Sequence, residues 1–90
     1  MGLNVYRDEV AGFLDRIVAR EEPVSRVVDM LDEEITLLKK SLDDRERLNH
    51  QLYDVLFLLF EIAAIYNLDM DSEWSQGRER KQAKYKRKYT

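Results

Sequence analysis

The feature that most constrains this chain is an apolar run from Leu52 to Leu68, interrupted only by Asp54, Glu61 and Asn67. A helix that is apolar around its whole circumference must be surrounded by other helices. The chain has 90 residues, and a domain of this size buries only about 60% of the surface of its unfolded form. Three further short helices do not suffice to cover such a helix, so we expect an all-α four-helix bundle that is completed by homo-oligomerisation.

A membrane span is the alternative for this run. A helix that crosses a bilayer needs about 20 apolar residues, whereas this run is shorter and carries Asp54 and Glu61, which are costly in hydrocarbon. At the amino end, residues 4–20 mix charged and apolar side chains at helical spacing and do not resemble a secretory signal. We therefore expect a cytoplasmic protein without a membrane partner.

Residue usage excludes several classes of site. The sequence has no cysteine, so it offers no disulfide framework, thiolate metal site or thiol nucleophile. The residue three positions before its one histidine, His50, is Arg47. A di-iron site of the ferritin-like kind needs Glu-x-x-His pairs, so this option fails. No serine carries a nucleophile signature beside that histidine.

Apolar spacing predicts two helices before the apolar run. The first has Asn4 as its N-cap and extends to about Arg20. Pro23 opens the second, which extends to about Leu42. The apolar face of the first helix consists of Val10, Phe13, Leu14, Ile17 and Val18, and that of the second consists of Val24, Val27, Val28, Leu31, Ile35, Leu38 and Leu42.

Two more helices complete the predicted domain, which spans residues 1–90. Asp43 and Asp44 provide turn and capping side chains before the third helix, which runs from about Arg45 to Tyr66. Asn67 marks the next break, and Asp69 or Asp71 can cap the fourth helix. The aromatic residues of the fourth helix are expected to pack back on the bundle; they are Trp74, Tyr85 and Tyr89.

Charge is divided unevenly along the chain. Residues 78–90 contain seven Lys or Arg and one Glu, a net charge of +6, whereas residues 1–77 contain eight Lys or Arg and seventeen Asp or Glu, a net charge of −9. A basic end of this size is typical of a solvated helix terminus, with a phosphate or nucleic-acid site as the alternative. Nucleic acid is not the expected partner, because charge alone supports it.

Two acids, Glu34 and Glu61, stand among apolar neighbours, where acids are costly. The neighbours of a helical side chain lie three and four positions away, and for Glu34 and Glu61 those neighbours are all apolar. Asp54 lies one heptad before Glu61, so the two form a single acidic line on the third helix. In one interpretation an Arg such as Arg26 or Arg47 pairs with each acid, or one acid stays protonated. In the other, a divalent metal is held between the second and third helices. Oxygen-only ligands favour Mg²⁺ or Mn²⁺ for such a metal site.

Several segments of the chain resemble a known family. Residues 31–35 (LDEEI) and 51–57 (QLYDVLF) are similar to the two acidic helices of MazG-like nucleoside triphosphate pyrophosphohydrolases. Residues 66–71 (YNLDMD) resemble that family's loop into its last helix, and Lys81, Lys84 and Tyr89 match its Lys-x-x-Lys and terminal Tyr. The similarity covers about residues 27–89.

The resemblance implies an all-α homodimer or homotetramer that uses Mg²⁺ or Mn²⁺ to split a nucleoside triphosphate into a monophosphate and pyrophosphate. The family holds its metal with Glu-x-x-Glu and Glu-x-x-Asp. Matched by position, Glu34 is the first ligand and Asp54 the last, while Leu37 and Gln51 occupy the two positions between them. Glu61 is the candidate that compensates as a ligand from the next turns of the same helix, and we expect the metal to bind weakly.

The same resemblance assigns the remaining site residues. It implies Glu33 as the base that activates water, and Lys81 and Lys84 as the side chains that hold the substrate's phosphates. The alternative is a catalytically degenerate scaffold or nucleotide-binding subunit, in which Leu37 and its neighbours form part of an interface.

Overall fold

The computed structural model describes residues 2–17 and 22–89 of the chain. These residues form four helices: α1 (Leu3–Arg16), α2 (Val24–Lys39), α3 (Arg45–Ile65) and α4 (Met70–Tyr89). The described residues contain no strand. The structure therefore confirms the predicted all-α class and the number of helices, which pack as a bundle around α3.

The turn between α2 and α3 contains the predicted helix cap. The Asp44 carboxylate accepts hydrogen bonds from the backbone N–H groups of Glu46 (3.1 Å) and Arg47 (3.2 Å) and so caps α3. Helix α2 ends at Lys39, three residues before the predicted end at Leu42. It ends early because the chain tightens into a turn, in which the N–H of Ser41 bonds the carbonyl of Leu38 at 3.0 Å.

The start of α1 differs from the prediction. Helix α1 begins at Leu3 with Gly2 at the N-cap, so the prediction that Asn4 is the cap was wrong. The cap is supplied by a distant residue, because the Asp71 carboxylate accepts hydrogen bonds from the backbone N–H groups of Leu3 and Asn4. Helix α1 ends at Arg16, and the predicted helix end at Arg20 and the apolar contact of Val18 lie outside the described residues.

The first turns of α1 and α4 cap each other. The Asn4 side chain accepts a hydrogen bond from the N–H of Met70 (2.7 Å) and donates one to Asp69 (3.0 Å). Asp69 also accepts the N–H of Ser72 at 3.0 Å, which confirms it as the cap of α4. A Cβ atom on Gly2 would collide with the Asp71 carboxylate. Gly2 therefore permits the close approach that joins the two helix N-termini.

Asn67 turns the chain from α3 towards α4. Its φ angle is 50°, in the left-handed region. The N–H of Leu68 bonds the carbonyl of Ala63 (2.9 Å) and the N–H of Asn67 bonds the carbonyl of Ala64 (3.2 Å). This pair of bonds is the Schellman motif, which satisfies carbonyls at a helix C-terminus and favours Gly or Asn in the left-handed position.

The core lies where α1 and α2 meet α3. Its buried apolar side chains are Val10, Leu14, Val27, Leu58, Ala63 and Ala64. Aromatic contacts extend the α1–α3 interface, since the rings of Tyr6 and Phe60 are 6.0 Å apart and those of Phe13 and Phe57 are 6.1 Å apart. Helix α4 packs against α1.

Large apolar side chains remain exposed on α2 and α3. The predicted apolar stripe of the second helix divides, because Val27 is fully buried whereas Val28 is 48% exposed. We call two sets of these side chains the apolar rows. The first consists of Val28 and Ile35 of α2 with Leu42 of the following turn, and the second consists of Leu52, Leu56 and Leu59 of α3.

Trp74 and Tyr85 of α4 do not pack back on the bundle within one chain. Trp74 is 61% exposed and Tyr85 is 46% exposed, so this prediction was wrong for the single chain. The side chain of Tyr89 lies outside the described residues. Every described side chain from Asp71 to Lys88 is exposed except at Gly77.

The single chain is more open than a compact monomer. Its accessible surface is 7248 Å², whereas a compact protein of this mass exposes about 5,500 Å². Its radius of gyration is 15.4 Å, against about 12 Å for a compact domain of this length. The single chain therefore exposes about 1,700 Å² more than a compact protein of its mass.

Among the described residues, one helix is long and apolar enough to cross a membrane by length and composition, namely α3, with a mean hydropathy of 1.3 over its most apolar window. A single helix of this kind is a weak indication, because central helices of water-soluble bundles have the same composition. In this chain 28% of that window is buried. The rest of that window is partly or fully exposed in the single chain.

The left-handed turn gives a prediction about stability. Replacing Asn67 by Val should destabilise the fold by about 1 to 2 kcal/mol, because a β-branched residue is disfavoured at positive φ. Asn67→Gly should be neutral or slightly stabilising, since Gly adopts this conformation freely. Urea unfolding followed by circular dichroism measures both variants. Equal stability of the Val and Gly variants would contradict the role assigned to this turn.

Candidate functional site at the α2–α3 seam

Glu34 and Gln51 meet across the seam between α2 and α3. Gln51 is 9% exposed. Its side-chain amide nitrogen donates hydrogen bonds to the backbone carbonyl of Glu34 (3.0 Å) and to the Glu34 carboxylate. The partner of this acid is thus an amide. Arg26, one of the arginines considered as a partner, pairs with Glu22 at 3.6 Å. The seam therefore holds a carboxylate and an amide in direct contact.

Asp54 and Glu61 continue the same side of α3. Asp54 lies one turn beyond Gln51, about 4.5 Å further along the helix axis, and Glu61 lies about 10 Å beyond Asp54. Asp54 is exposed, whereas Glu61 is buried. Across residues 2–17 and 22–89, no three Asp, Glu or His side chains are grouped so that they could hold a metal ion. One chain therefore does not gather the predicted ligands Glu34, Asp54 and Glu61 into one cluster.

Glu61 has the environment of a strained acid. Its side chain is 5% exposed. Burial, and secondly the negative charge of Glu22, raise the pKa of Glu61 above its usual value of 4.5. The ionised form is therefore disfavoured in the folded chain, in agreement with the alternative that one acid of the line is held protonated.

The other two positions implied at the seam lie on the surface of α2. Glu33, the proposed base, is exposed, and helix periodicity turns it away from the buried Val27 side of α2. Leu37, which stands at one of the ligand positions, is 47% exposed. A carboxylate could replace this leucine without loss of core packing.

The predicted phosphate-binding lysines lie on α4. Lys81 and Lys84 line an open concavity of about 750 Å³ whose walls come from α4 and also include Trp74 and Arg78. The ammonium nitrogen of Lys81 is 5.8 Å from the centre of the Tyr85 ring. No residue of α2 or α3 lines this concavity. The described part of the chain thus presents its lysines and its acidic seam on separate surfaces.

A second, smaller concavity of about 300 Å³ lies between α1 and α3. Its walls are mainly aromatic and aliphatic, and include Tyr6, Tyr53, Phe57 and Phe60. The charged side chain on its wall is Glu9. This groove offers apolar contact and no arrangement of groups that suits catalysis.

The junction of α1 and α4 was missed at the sequence level. Its polar residues are Asn4, Asp69 and Asp71, and the Asn4 side chain is the largest cause that lowers the pKa of Asp69, followed by the backbone N–H of Ser72. Arg7 completes the junction by donating a hydrogen bond to the Leu68 carbonyl near the end of α3. Local spacing carries no signal for contacts between residues more than 60 positions apart.

Comparison with protein-family models, with curated proteins and with solved structures finds no match to this chain.

Burial of Glu61 predicts a pH dependence of stability. Because its pKa is raised in the folded chain, the cost of ionising it is absent below about pH 4.5 and appears as the pH rises through the folded-state pKa. Glu61→Gln should therefore differ little from the wild type near pH 4, become the more stable of the two as the pH rises, and keep that advantage at pH 8. Urea unfolding at several pH values measures the difference.

The matched control for this prediction is Glu33→Gln, since Glu33 is exposed on α2. Its stability should follow that of the wild type at every pH. Parallel curves for the wild type and Glu61→Gln would show that burial of Glu61 costs nothing.

Proposed function

We propose that the chain is a Mg²⁺- or Mn²⁺-dependent nucleotide pyrophosphohydrolase of the MazG-like type, which splits a nucleoside triphosphate into a monophosphate and pyrophosphate. The observation that carries the proposal is the contact between the Glu34 carboxylate and the Gln51 amide across the seam, with Asp54 one turn further along α3. These three residues stand at three of the four positions that the resemblance assigns to metal ligands.

The donors at the seam suit a hard divalent cation. Glu34 and Asp54 supply carboxylate oxygens, and Gln51 can offer its carbonyl oxygen because its amino group already bonds Glu34. Mg²⁺ typically takes one or two carboxylates together with waters and substrate phosphates. The ion, when bound, would neutralise charge that develops on the phosphates. Two carboxylates make a weak site, which agrees with the expectation of weak binding.

The remaining roles fall to side chains that hold the substrate or move a proton. Glu33 accepts a proton from the attacking water as the bond between the first two phosphates breaks and pyrophosphate leaves with the bonding electrons. Lys81 and Lys84 hold the phosphates through charge-assisted hydrogen bonds. Both lysines line the open concavity on α4. Trp74 on its wall offers an aromatic face to a base.

We include self-association in the proposal, as a homodimer or homotetramer. The chain exposes about 1,700 Å² more than a compact monomer of its mass. Covering this area on two chains would bury about 3,400 Å² in total, which lies in the range of permanent dimers. The apolar rows of α2 and α3 are the surfaces that such an interface would cover. Insertion of α3 into lipid would instead place Asp54 and Glu61 in hydrocarbon.

A specific observation supports a second candidate, a scaffold or nucleotide-binding subunit without catalysis. Leu37 stands at a ligand position and is 47% exposed, as a residue at a protein interface would be. In this alternative Glu34 and Gln51 stabilise the hairpin of α2 and α3, and α4 binds nucleotide or another chain.

Hydrolysis is the direct test. Purified protein with Mg²⁺ or Mn²⁺ should release pyrophosphate from at least one member of a panel of nucleoside triphosphates. Glu34→Gln and Asp54→Asn should each lower the rate on the order of 100-fold, because each removes a carboxylate that would hold the metal, and the metal would neutralise the charge that develops in the transition state. Asp32→Asn, an exposed acid on α2 outside the seam, should retain the rate. Nucleotide binding without pyrophosphate release would favour the scaffold.

Metal affinity provides an independent test. The wild type should show a rise in melting temperature only at metal concentrations on the order of millimolar, since two carboxylates bind Mg²⁺ weakly. The double variant Leu37→Glu with Gln51→Glu supplies the two missing carboxylates and should shift this response to lower concentration. At a metal concentration 100 times the dissociation constant the stabilisation is about 2.7 kcal/mol. An unchanged response in the double variant would exclude the seam as the metal site.

A further inference from the structure

Helix α4 carries a basic row that is exposed along its length. Arg80, Lys84 and Arg87 are spaced so that they lie on one side of the helix, with Lys81 beside them. All four side chains are exposed. Arg80 pairs with Glu73 of the same helix. This ion pair lies within α4 and does not join the basic row to another helix of the chain. An exposed row of this kind is suited to an acidic partner surface.

The same chain provides an acidic surface. Residues 1–77 carry a net charge of −9, against +6 for residues 78–90. The exposed acids of α2 and α3 are Asp29, Asp32, Glu33, Glu46 and Asp54. Within one chain, however, α4 is tied through its first turn to α1 and packs against that helix. The basic and acidic surfaces complement each other in charge but lie on different sides of the chain.

We infer that in the dimer α4 lies along the α2–α3 seam of the second copy, so that each active site combines Glu34 and Asp54 of one chain with Lys81 and Lys84 of the other. The inference rests on the dimer and on the phosphate site proposed above, and it adds that neither chain alone forms a complete site.

The lengths of the helices allow this arrangement. Helix α4 has 20 residues and α3 has 21, so each is about 30 Å long. Lys84 lies 14 residues after Met70, and Gln51 lies 14 residues before Ile65. An α4 laid antiparallel along α3, with Met70 level with Ile65, therefore brings Lys84 level with Gln51. The basic row would then lie beside Glu34 and Asp54.

A second copy fits the observations better than a nucleic acid does. A two-fold dimer makes two such contacts at once, because each copy supplies one basic and one acidic surface. The contact would also cover Trp74 and Tyr85, which are 61% and 46% exposed. A nucleic acid bound to α4 would leave the apolar rows uncovered and would meet repulsion from the net charge of −9 on residues 1–77.

Zero-length cross-linking with a carbodiimide tests this arrangement, because it joins an ammonium group to a carboxylate only when the two are in contact. Equal amounts of ¹⁵N-labelled and unlabelled wild-type chains are mixed, treated, digested and analysed by mass spectrometry. We expect covalent dimers whose linked peptides join Lys81 or Lys84 to Glu33, Glu34 or Asp54. About half of these linked pairs should contain one labelled and one unlabelled peptide, as random mixing of chains requires.

Two double variants of equal charge change serve as controls for the assignment of the links. Lys81→Gln with Lys84→Gln lacks the reacting amines and should lose these cross-links, whereas Lys39→Gln with Lys40→Gln, at the end of α2 and in the turn after it, should retain them. Circular dichroism confirms that both variants are folded. Links found only within one chain, links between other segments only, or a monomer in sedimentation velocity would each overturn the inference.

This outcome is separate from that of the hydrolysis test. Mixed cross-links without pyrophosphate release would support the exchange of α4 and refute the proposed catalysis. Pyrophosphate release with links only within one chain would support catalysis and overturn the exchange. Tight binding of duplex DNA by a chain that forms no mixed cross-links would assign the basic row to nucleic acid and would also overturn the exchange.

Discussion

The open side of α3 is the constraint on which the rest of the structure depends. Helices α1 and α2 cover two sides of α3, and the third side carries Leu52, Leu56 and Leu59 in contact with solvent. A helix this apolar gains free energy from any surface that covers it. The single chain also has a large exposed area, a large radius of gyration and an α4 whose described side chains are almost all exposed.

Polar groups inside the bundle are concentrated along the α2–α3 hairpin. Ser41 donates a hydrogen bond to the Leu37 carbonyl at 2.8 Å, and Gln51 bonds Glu34, so both buried groups are satisfied. The pKa of Glu61 is raised, so this acid lowers the stability of the fold as the pH rises. Asp69, at the junction of α1 and α4, has the opposite effect. Its pKa is lowered, so its contribution to stability is lost as the pH falls below its usual value of 3.8. Glu61 is the acid that is buried at such a cost, and acids of this kind are frequent at functional sites.

Much of the fold could be predicted because its signals are local. The bounds of α3, the caps at Asp44 and Asp69 and the break at Asn67 all depend on side chains that act on backbone within a few residues. The site was predicted less completely. The resemblance placed Glu34 and Gln51 at two of the four ligand positions, and the structure brings these two residues into contact. Neither spacing nor resemblance could indicate that Asp54 is exposed while Glu61, one heptad later on the same side of the helix, is buried.

The sequence by itself determined which side chains share a helix face, because 3.6 residues per turn is a property of the backbone. Only the tertiary structure decided what covers each face. It placed Val27 in the core and left Val28 half-exposed, and it used Asp71 of α4 to cap α1 in place of Asn4. These outcomes depend on how helices that are distant in the chain approach each other. That approach is set by the packing of whole surfaces, which no window of a few residues contains.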